Sequence, residues 1–254
     1  MSTLKIATWN IQRGRRWSDV ARLLAIHQVD LALLQECDVG MARSGNVHVP
    51  RKIAEVWPDA DHVAAIEFEE HGLGNAEEVA DLQRRYCPDE LGNAHGLHCN
   101  AIVGRDLPHM THEVALSEGR EWREDCQQPR RGGRKALVAR VRKIHFACVH
   151  LESRTTPEKR AGQLQRLLRA LRQLGAGPTV IGGDLNCKEG ETEPLFRVAA
   201  DYGYGWAPAN ADVGRFAGRR LDWFLTRDVE VSNPQTIDAG EISDHDLMLL
   251  EVQA

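Results

Sequence analysis

Two apolar runs, KALVARV (135–141) and IHFACVHL (144–151), are separated only by Arg142 and Lys143. A two-residue connection leaves no length for a crossover, so the runs are expected to pair as an antiparallel hairpin. The chain opens in the other manner. LKIATWN (4–10) reads as a strand, SDVARLLAIHQ (18–28) as a helix with Ser18 as N-cap, and DLALLQE (30–36) as a buried strand. This β-α-β start together with the hairpin predicts a strand-rich α/β architecture rather than a purely parallel sheet.

Further strands are expected at AIVGR (101–105), TVIGGDLN (179–186), LDWFLT (221–226) and LMLLEV (247–252). The one long helix is PEKRAGQLQRLLRALRQLG (157–175), with Pro157 suited to its first turn and Gly175 to its stop. Residues 58–100 are polar and acidic and read as an insertion of loops with a short helix. No repeat or linker divides the chain, so residues 1–254 are expected to form a single domain.

Charge and cysteine usage exclude several classes. A net charge of −5 argues against coating nucleic acid by bulk charge, which leaves local basic patches. Two are visible: Arg120, Arg123, Arg130, Arg131, Arg134 and Lys135, and then Arg215, Arg219 and Arg220. No apolar run reaches membrane-span length, and MSTLKIATWN enters a strand without the regions of a signal peptide. The six cysteines are scattered with no C-x-x-C pair, which reads as reduced thiols in a cytoplasmic protein. His95, His98 and Cys99 lie close enough to raise zinc, but no second ligand pair accompanies them.

Polar residues gather where strands end. Asn10 closes the first strand, Glu36 the second, His150 the hairpin, and Asp184 and Asn186 the run TVIGGDLN. Asp222 lies near the start of LDWFLT, and Asp244 and His245 precede the last strand. A side chain at a strand end can leave the core while its backbone stays held, so these residues can build one rigid, oxygen-rich pocket. Carboxylates and amide carbonyls are hard donors, suited to Mg²⁺ or Mn²⁺ better than to zinc. Singly, each has a plainer reading: a turn residue at Asp184, a solvated end at Glu36, a surface ion pair at Asp222, a structural histidine at His150. Cys37 and Cys187 flank site residues and read as small core thiols.

The blocks WN, LLQE, VHL, GGDLN, LDWFL and SDH, in that order from first strand to last, resemble the endonuclease/exonuclease/phosphatase superfamily. The resemblance implies a deoxyribonuclease I-like fold: a four-layered αββα sandwich of two mixed β-sheets covered by helices. It also implies a Mg²⁺- or Mn²⁺-dependent phosphoric ester hydrolase, acting on a phosphodiester or phosphomonoester as a monomer. On matching positions, Glu36 is the principal metal ligand, with Asn10 beside it and Asp244 at the metal or supporting the site. Asp184 and Asn186 resemble the family's GDxN pair, which implies that they position and activate the attacking water. By the same resemblance His245 would be the catalytic imidazole, oriented by Asp222, and His150 would stabilise the transition state or assist the leaving group. Asp246 lies outside the blocks. The segment Asn10-Ile11-Gln12-Arg13-Gly14 departs from the N-x-N-G or N-x-D-G of exonuclease III-like repair enzymes, and those enzymes also lack the VHL histidine. Both features point towards the deoxyribonuclease-, sphingomyelinase- and phosphatase-like branches. A nuclease using the arginine-rich loops, a small-molecule or lipid-headgroup phosphoesterase, and an inactive binding scaffold are the readings this leaves open.

Overall fold

A computed structural model describes residues 3–71, 95–108, 110–123, 130–188, 190–207 and 221–253, with the side chains of His71, His95 and residues 120–123 outside the description. In chain order the elements are β1 (Thr3–Asn10), α1 (Trp17–Ile26), β2 (Leu31–Val39), α2 (Val49–Val56), β3 (Asp61–His71), β4 (His95–Gly104) and β5 (Thr111–Ala115). Then come β6 (Arg120–Arg123), β7 (Arg130–Gly132), β8 (Lys135–Val141), β9 (Ile144–His150), α3 (Pro157–Gln173), β10 (Thr179–Asp184) and α4 (Glu193–Asp201). The chain closes with β11 (Gly205–Trp206), β12 (Asp222–Arg227), β13 (Val231–Ile237) and β14 (Leu247–Gln253).

The strands form two mixed sheets. The eight-stranded sheet runs β13-β14-β1-β2-β4-β3-β7-β6 and the six-stranded sheet β11-β12-β10-β9-β8-β5. β1 and β2 pair in parallel, as the β-α-β start demands, and β8 and β9 form the antiparallel hairpin with Val141 opposite Ile144. Arg142 turns that corner at φ 56, the left-handed geometry of a two-residue hairpin.

Three apolar clusters define the layers. Ile6, Leu33, Phe146, Val180 and Phe224 fill the space between the sheets. Trp9, Leu34 and Cys37 face the side covered by α1 and α2, through Val20, Leu24 and Ile53. Val149, Ile181 and Leu225 meet Leu164, Leu168 and Leu171 of α3 and Leu195 of α4. The result is helix, sheet, sheet, helix, the expected four-layered αββα sandwich. Each fully buried leucine, valine or phenylalanine contributes about 1.5–3 kcal/mol.

Local chemistry sets the helix ends. Thr156 Oγ1 caps α3 by accepting from Lys159 N–H, and Gly175 follows the helix at φ 64, where a side chain is disfavoured. The first helix departs from expectation. It begins at Trp17 with the Arg16 carbonyl accepting from Val20, so Ser18 lies inside the first turn and caps nothing.

The largest correction concerns residues 58–100. Within it, 61–71 and 95–100 are sheet, two antiparallel neighbours of the core of the larger sheet. Their charges hid them. Glu67 and Glu70 are 2% exposed and held by Arg134 and Arg43, so an apparent solvated face is a buried ionic one. The remainder of that segment, residues 72–94, lies outside the described residues.

Candidate active site

The register of the smaller sheet assembles the centre of the site. Asp184, the last residue of β10, lies opposite His150 on β9 and Asp222 on β12, so three functional side chains leave one row of adjacent strands. Alternation places them on the face turned to the other sheet, because Val180, Phe146, Cys148 and Phe224 on that face fill the inter-sheet core. The two glycines before Asp184 are required by close approach. A Cβ on Gly183 would lie 1.8 Å from the Val149 carbonyl oxygen, and one on Gly182 within 3.0 Å of Leu33 and Thr8 across the sandwich.

The larger sheet supplies the opposite wall. Asn10 ends β1 and donates from Nδ2 to Asp184 Oδ2 at 3.2 Å, while its own Oδ1 accepts from the Gln12 N–H. Glu36 does not close β2, contrary to the expectation from sequence; the strand continues to Val39. Instead a bulge between Leu34 and Cys37 inserts one extra residue, and Glu36 takes φ 56. Leu34 and Cys37 consequently share the helix-side core, and Glu36 is released from the alternation to line the cleft. Asn186 is also left-handed at φ 49, with its Nδ2 donating to the Leu151 carbonyl and its N–H to Asp184 Oδ1 at 2.8 Å. A non-glycine residue held there stores of order 1 kcal/mol or more, a cost that concentrates at functional sites.

The SDH turn is pinned from both sides. Ser243 Oγ donates to the Asn10 carbonyl at 2.7 Å and accepts from the His245 N–H, while Trp9 Nε1 donates to the His245 carbonyl. His245 Nδ1 then donates to Asp222 Oδ2 at 2.7 Å, leaving Nε2 turned to Asp184 Oδ2 at 3.9 Å. His150 Nε2 approaches the same oxygen at 3.4 Å. Asp184 therefore sits between two imidazoles and an amide. Asp244 is exposed at the rim of the same cleft. Asp246 is buried and its Oδ1 accepts from the Ala239 N–H, so it braces the turn from below.

These groups perturb one another. Burial and the facing Asp222 charge push Asp184 up to about 7, against the pull of His245 and two hydrogen bonds. Burial disfavours the charged form of His245, yet Asp222, through its charge and hydrogen bond, raises it to about 10. His150 is held well below its ordinary range by burial and by the nearby Arg134 charge. Burial pushes Glu36 up, but the charges of His98, Arg13 and Arg134 outweigh it and hold the carboxyl below its ordinary value.

The fold brings the eight residues singled out in the sequence close together. Seven line a cleft of about 520 Å³, and Asp222 stands behind His245. Other residues of this cleft were not foreseen. Arg13 bridges Glu36 at 4.0 Å and Glu70 at 3.8 Å. Arg160, 3% exposed, donates to the carbonyls of Ser153 and Thr155 and pairs with Glu191, fixing one wall. In sequence Arg160 is one more helix cation; only its place in the first turn of an apolar-faced helix marks it.

Four of the six cations of the first basic patch are paired within the chain. Arg134 is buried on Glu67, Arg131 pairs with Glu69, Lys135 with Glu113, and Arg130 lies 3.9 Å from Glu152. These cations are matched by carboxylates of the same chain. The Arg120 and Arg123 side chains and Arg215, Arg219 and Arg220 lie outside the described residues. The zinc reading also fails on geometry: His98 turns to Asp38 while its neighbour Cys99 donates to the Cys37 carbonyl on the other face. Among the described residues no group of three or more His, Cys, Asp or Glu side chains converges as a ready-made metal cage. Cys37, Cys99, Cys148 and Cys187 are free, buried thiols, and Cys87 and Cys126 lie outside the described residues. No helix among the described residues is long and apolar enough to cross a membrane.

Solved structures share this architecture. A protein of the endonuclease/exonuclease/phosphatase class from Beutenbergia cavernae superposes with a TM-score of 0.70 at 15% identity, covering 100% of this chain and 72% of that one. A humanised D. rerio TDP2 gives 0.66 at 15% identity over 100% of both chains. The mannosyl-6-phosphatase Bt3783 of Bacteroides thetaiotaomicron gives 0.64 at 15% identity, over 99% of this chain and 100% of that one. No curated protein sequence matches significantly. The sequence pattern of the Endonuclease/Exonuclease/phosphatase family, by contrast, matches residues 7–245, from the middle of β1 to the histidine of the final turn. With that match added to the two mixed sheets and their shared rim, the chain belongs to the endonuclease/exonuclease/phosphatase family.

Proposed function

We propose that this chain hydrolyses a phosphate ester by in-line attack of a water held at Asp184. The observation that carries the reading is the convergence on one oxygen: Asp184 Oδ2 lies 3.2 Å from Asn10 Nδ2, 3.4 Å from His150 Nε2 and 3.9 Å from His245 Nε2. The last separation exceeds a hydrogen bond and admits a bridging water.

The pKa order divides the labour. Asp184, near 7, is matched to accepting the water's proton at neutral pH. His245, near 10, carries its proton and donates it as a hydrogen bond to a phosphoryl oxygen, with Asp222 fixing the ring. His150 stays neutral and contributes a hydrogen bond to the same oxygens. The new bond joins the water oxygen to phosphorus as the ester oxygen leaves on the opposite side. Asp184 and His245 both stand on the water's side, so the open cleft supplies the leaving oxygen's proton from solvent.

A divalent cation fits the other wall. Glu36 is held ionised, lines the cleft with Asn10 and Asp244, and offers hard oxygen donors only. Mg²⁺ and Mn²⁺ suit such a sparse set, since Mg²⁺ keeps several waters and needs only one or two carboxylates from the protein. When bound, the cation neutralises phosphoryl charge and polarises the ester. The deciding experiment is hydrolysis of a chromogenic phosphodiester and a chromogenic monoester with Mg²⁺ or Mn²⁺, then with EDTA. Turnover that EDTA abolishes and Asp184→Asn lowers by orders of magnitude supports the proposal. Turnover indifferent to EDTA would remove the cation, and an active Asp184→Asn variant would remove the base.

A further inference from the structure

A second cleft of about 500 Å³ adjoins the catalytic one, and Arg130, Glu152 and Thr155 line both. It follows the exposed side of α3 past Lys159 and Gly162 to Arg166 and Arg169. These positions recur every three or four residues, so they share one helix face and span about 15 Å of its axis. The cleft carries four cations against only Glu118 and Glu152. Lys159 and Arg166 are exposed and form no ion pair among the described residues, unlike Arg131 and Arg134, which are paired with Glu69 and Glu67.

Gly162 is a separate observation. Glycine inside a helix is less favourable than alanine, because it loses more backbone freedom on folding. Here a Cβ would meet nothing within 4 Å, so packing gives no reason for its absence. Bare backbone between two cations, on the wall of an open cleft, admits close approach of a ligand.

We propose that the α3 cleft formed by Lys159, Gly162, Arg166 and Arg169 is a second phosphate subsite, and that it binds the chain of a nucleic-acid strand whose scissile phosphate lies at Asp184. This rests on the phosphoesterase reading of the neighbouring cleft. A line of cations about 15 Å long matches repeating phosphates, whereas a single phosphate would occupy one point of it. The net charge of −5 leaves such local lines, rather than the molecule as a whole, to attract a polyanion.

The test is fluorescence anisotropy of a labelled single-stranded oligodeoxynucleotide in EDTA, across a salt series. The triple variant Lys159→Gln/Arg166→Gln/Arg169→Gln changes only exposed side chains and is expected to melt like the parent. Its Kd should rise at least about tenfold, and the slope of log affinity against log salt should shrink by about 0.7 for each phosphate that is no longer neutralised. Arg22→Gln on α1 should leave both unchanged. A triple variant with parental affinity and slope would overturn the subsite, as would a parent that does not bind the oligonucleotide at low salt. Loss of binding to anionic lipid vesicles, with oligonucleotide binding intact, would overturn it in favour of a membrane surface. Hydrolysis of the chromogenic diester by the parent is read separately. If it fails while the oligonucleotide binding responds, the phosphoesterase reading falls, and with it the scissile phosphate at Asp184, while the strand-binding cleft on α3 stands.

Discussion

Asp222 Oδ2, on the strand next to Asp184, accepts a hydrogen bond from His245 Nδ1–H at 2.7 Å. The bond joins two sheets, because Asp222 belongs to β12 and His245 to the turn entering β14. It fixes both the orientation of the imidazole and which nitrogen faces the cleft. His245→Ala is expected to lower kcat by about two to three orders of magnitude, the range for removing one preorganised donor to the developing charge. Asp222→Asn should cost less than removing the ring, since orientation weakens but the imidazole remains. Steady-state kinetics with circular dichroism as a folding control measure both. Parental rates in the two variants would reduce SDH to an ordinary turn.

The perturbed pair also fixes the sign of a pH effect on stability. His245 is raised from 6.5 to about 10, so its contribution is complete below 6.5 and lost as pH rises to 10. Asp184 is an acid raised from 3.8 to about 7, so its ionisation costs the folded state increasingly as pH rises from 4 to 7. Both slopes run the same way. In EDTA, the urea midpoint of the parent should fall from mildly acidic to alkaline pH relative to variants of these two residues. Asp184→Asn should flatten the interval from 4 to 7, and His245→Gln the interval from 7 to 10. A parent whose midpoint tracks both variants across that range would refute the assigned shifts.

What could be read from sequence follows a physical line. The β8–β9 hairpin and the parallel start are written in connection length and periodicity, and the site residues other than Glu36 are polar groups at or next to strand ends, which the chain shows directly. The bulge at Glu36 is not legible, because nothing in LLQECDV marks which residue leaves the alternation. β3 escaped because Glu67, Glu69 and Glu70 read as solvated, and their partners Arg134, Arg131 and Arg43 come from distant positions. Charge patterns in sequence do not distinguish a cation facing water from one facing a buried carboxylate.

Glu36 gives a sharper test of the cation than chelation does. Glu36→Gln keeps the shape and the bulge but removes the charge. The Mg²⁺ or Mn²⁺ concentration for half-maximal activity should rise at least about tenfold, corresponding to roughly 1.4 kcal/mol. An unchanged metal titration would take Glu36 out of the cation's coordination. The free protein's melting temperature should change little, because Glu36 lies at the cleft surface beside Arg13, not in the core.

Arg134 separates a structural cation from a binding one. Its side chain is 4% exposed, Nη1 donates to Glu67 Oε2 at 3.1 Å, and Glu67 itself is fully buried. Burial raises the Glu67 carboxyl even with Arg134 present, so the arginine offsets a desolvation that persists without it. Removing one partner of a buried pair leaves the other charge uncompensated, which costs about 3–5 kcal/mol. Arg134→Ala is therefore expected to unfold at markedly lower urea than the parent. Arg131→Ala, whose pair with Glu69 is half exposed, should shift the midpoint by under about 1 kcal/mol. The double variant Arg134→Leu/Glu67→Leu, which removes both charges together, should recover part of the loss. If Arg134→Ala instead keeps the parental midpoint and weakens only oligonucleotide binding, the residue belongs to the substrate surface, and a basic patch facing the substrate is right at this position.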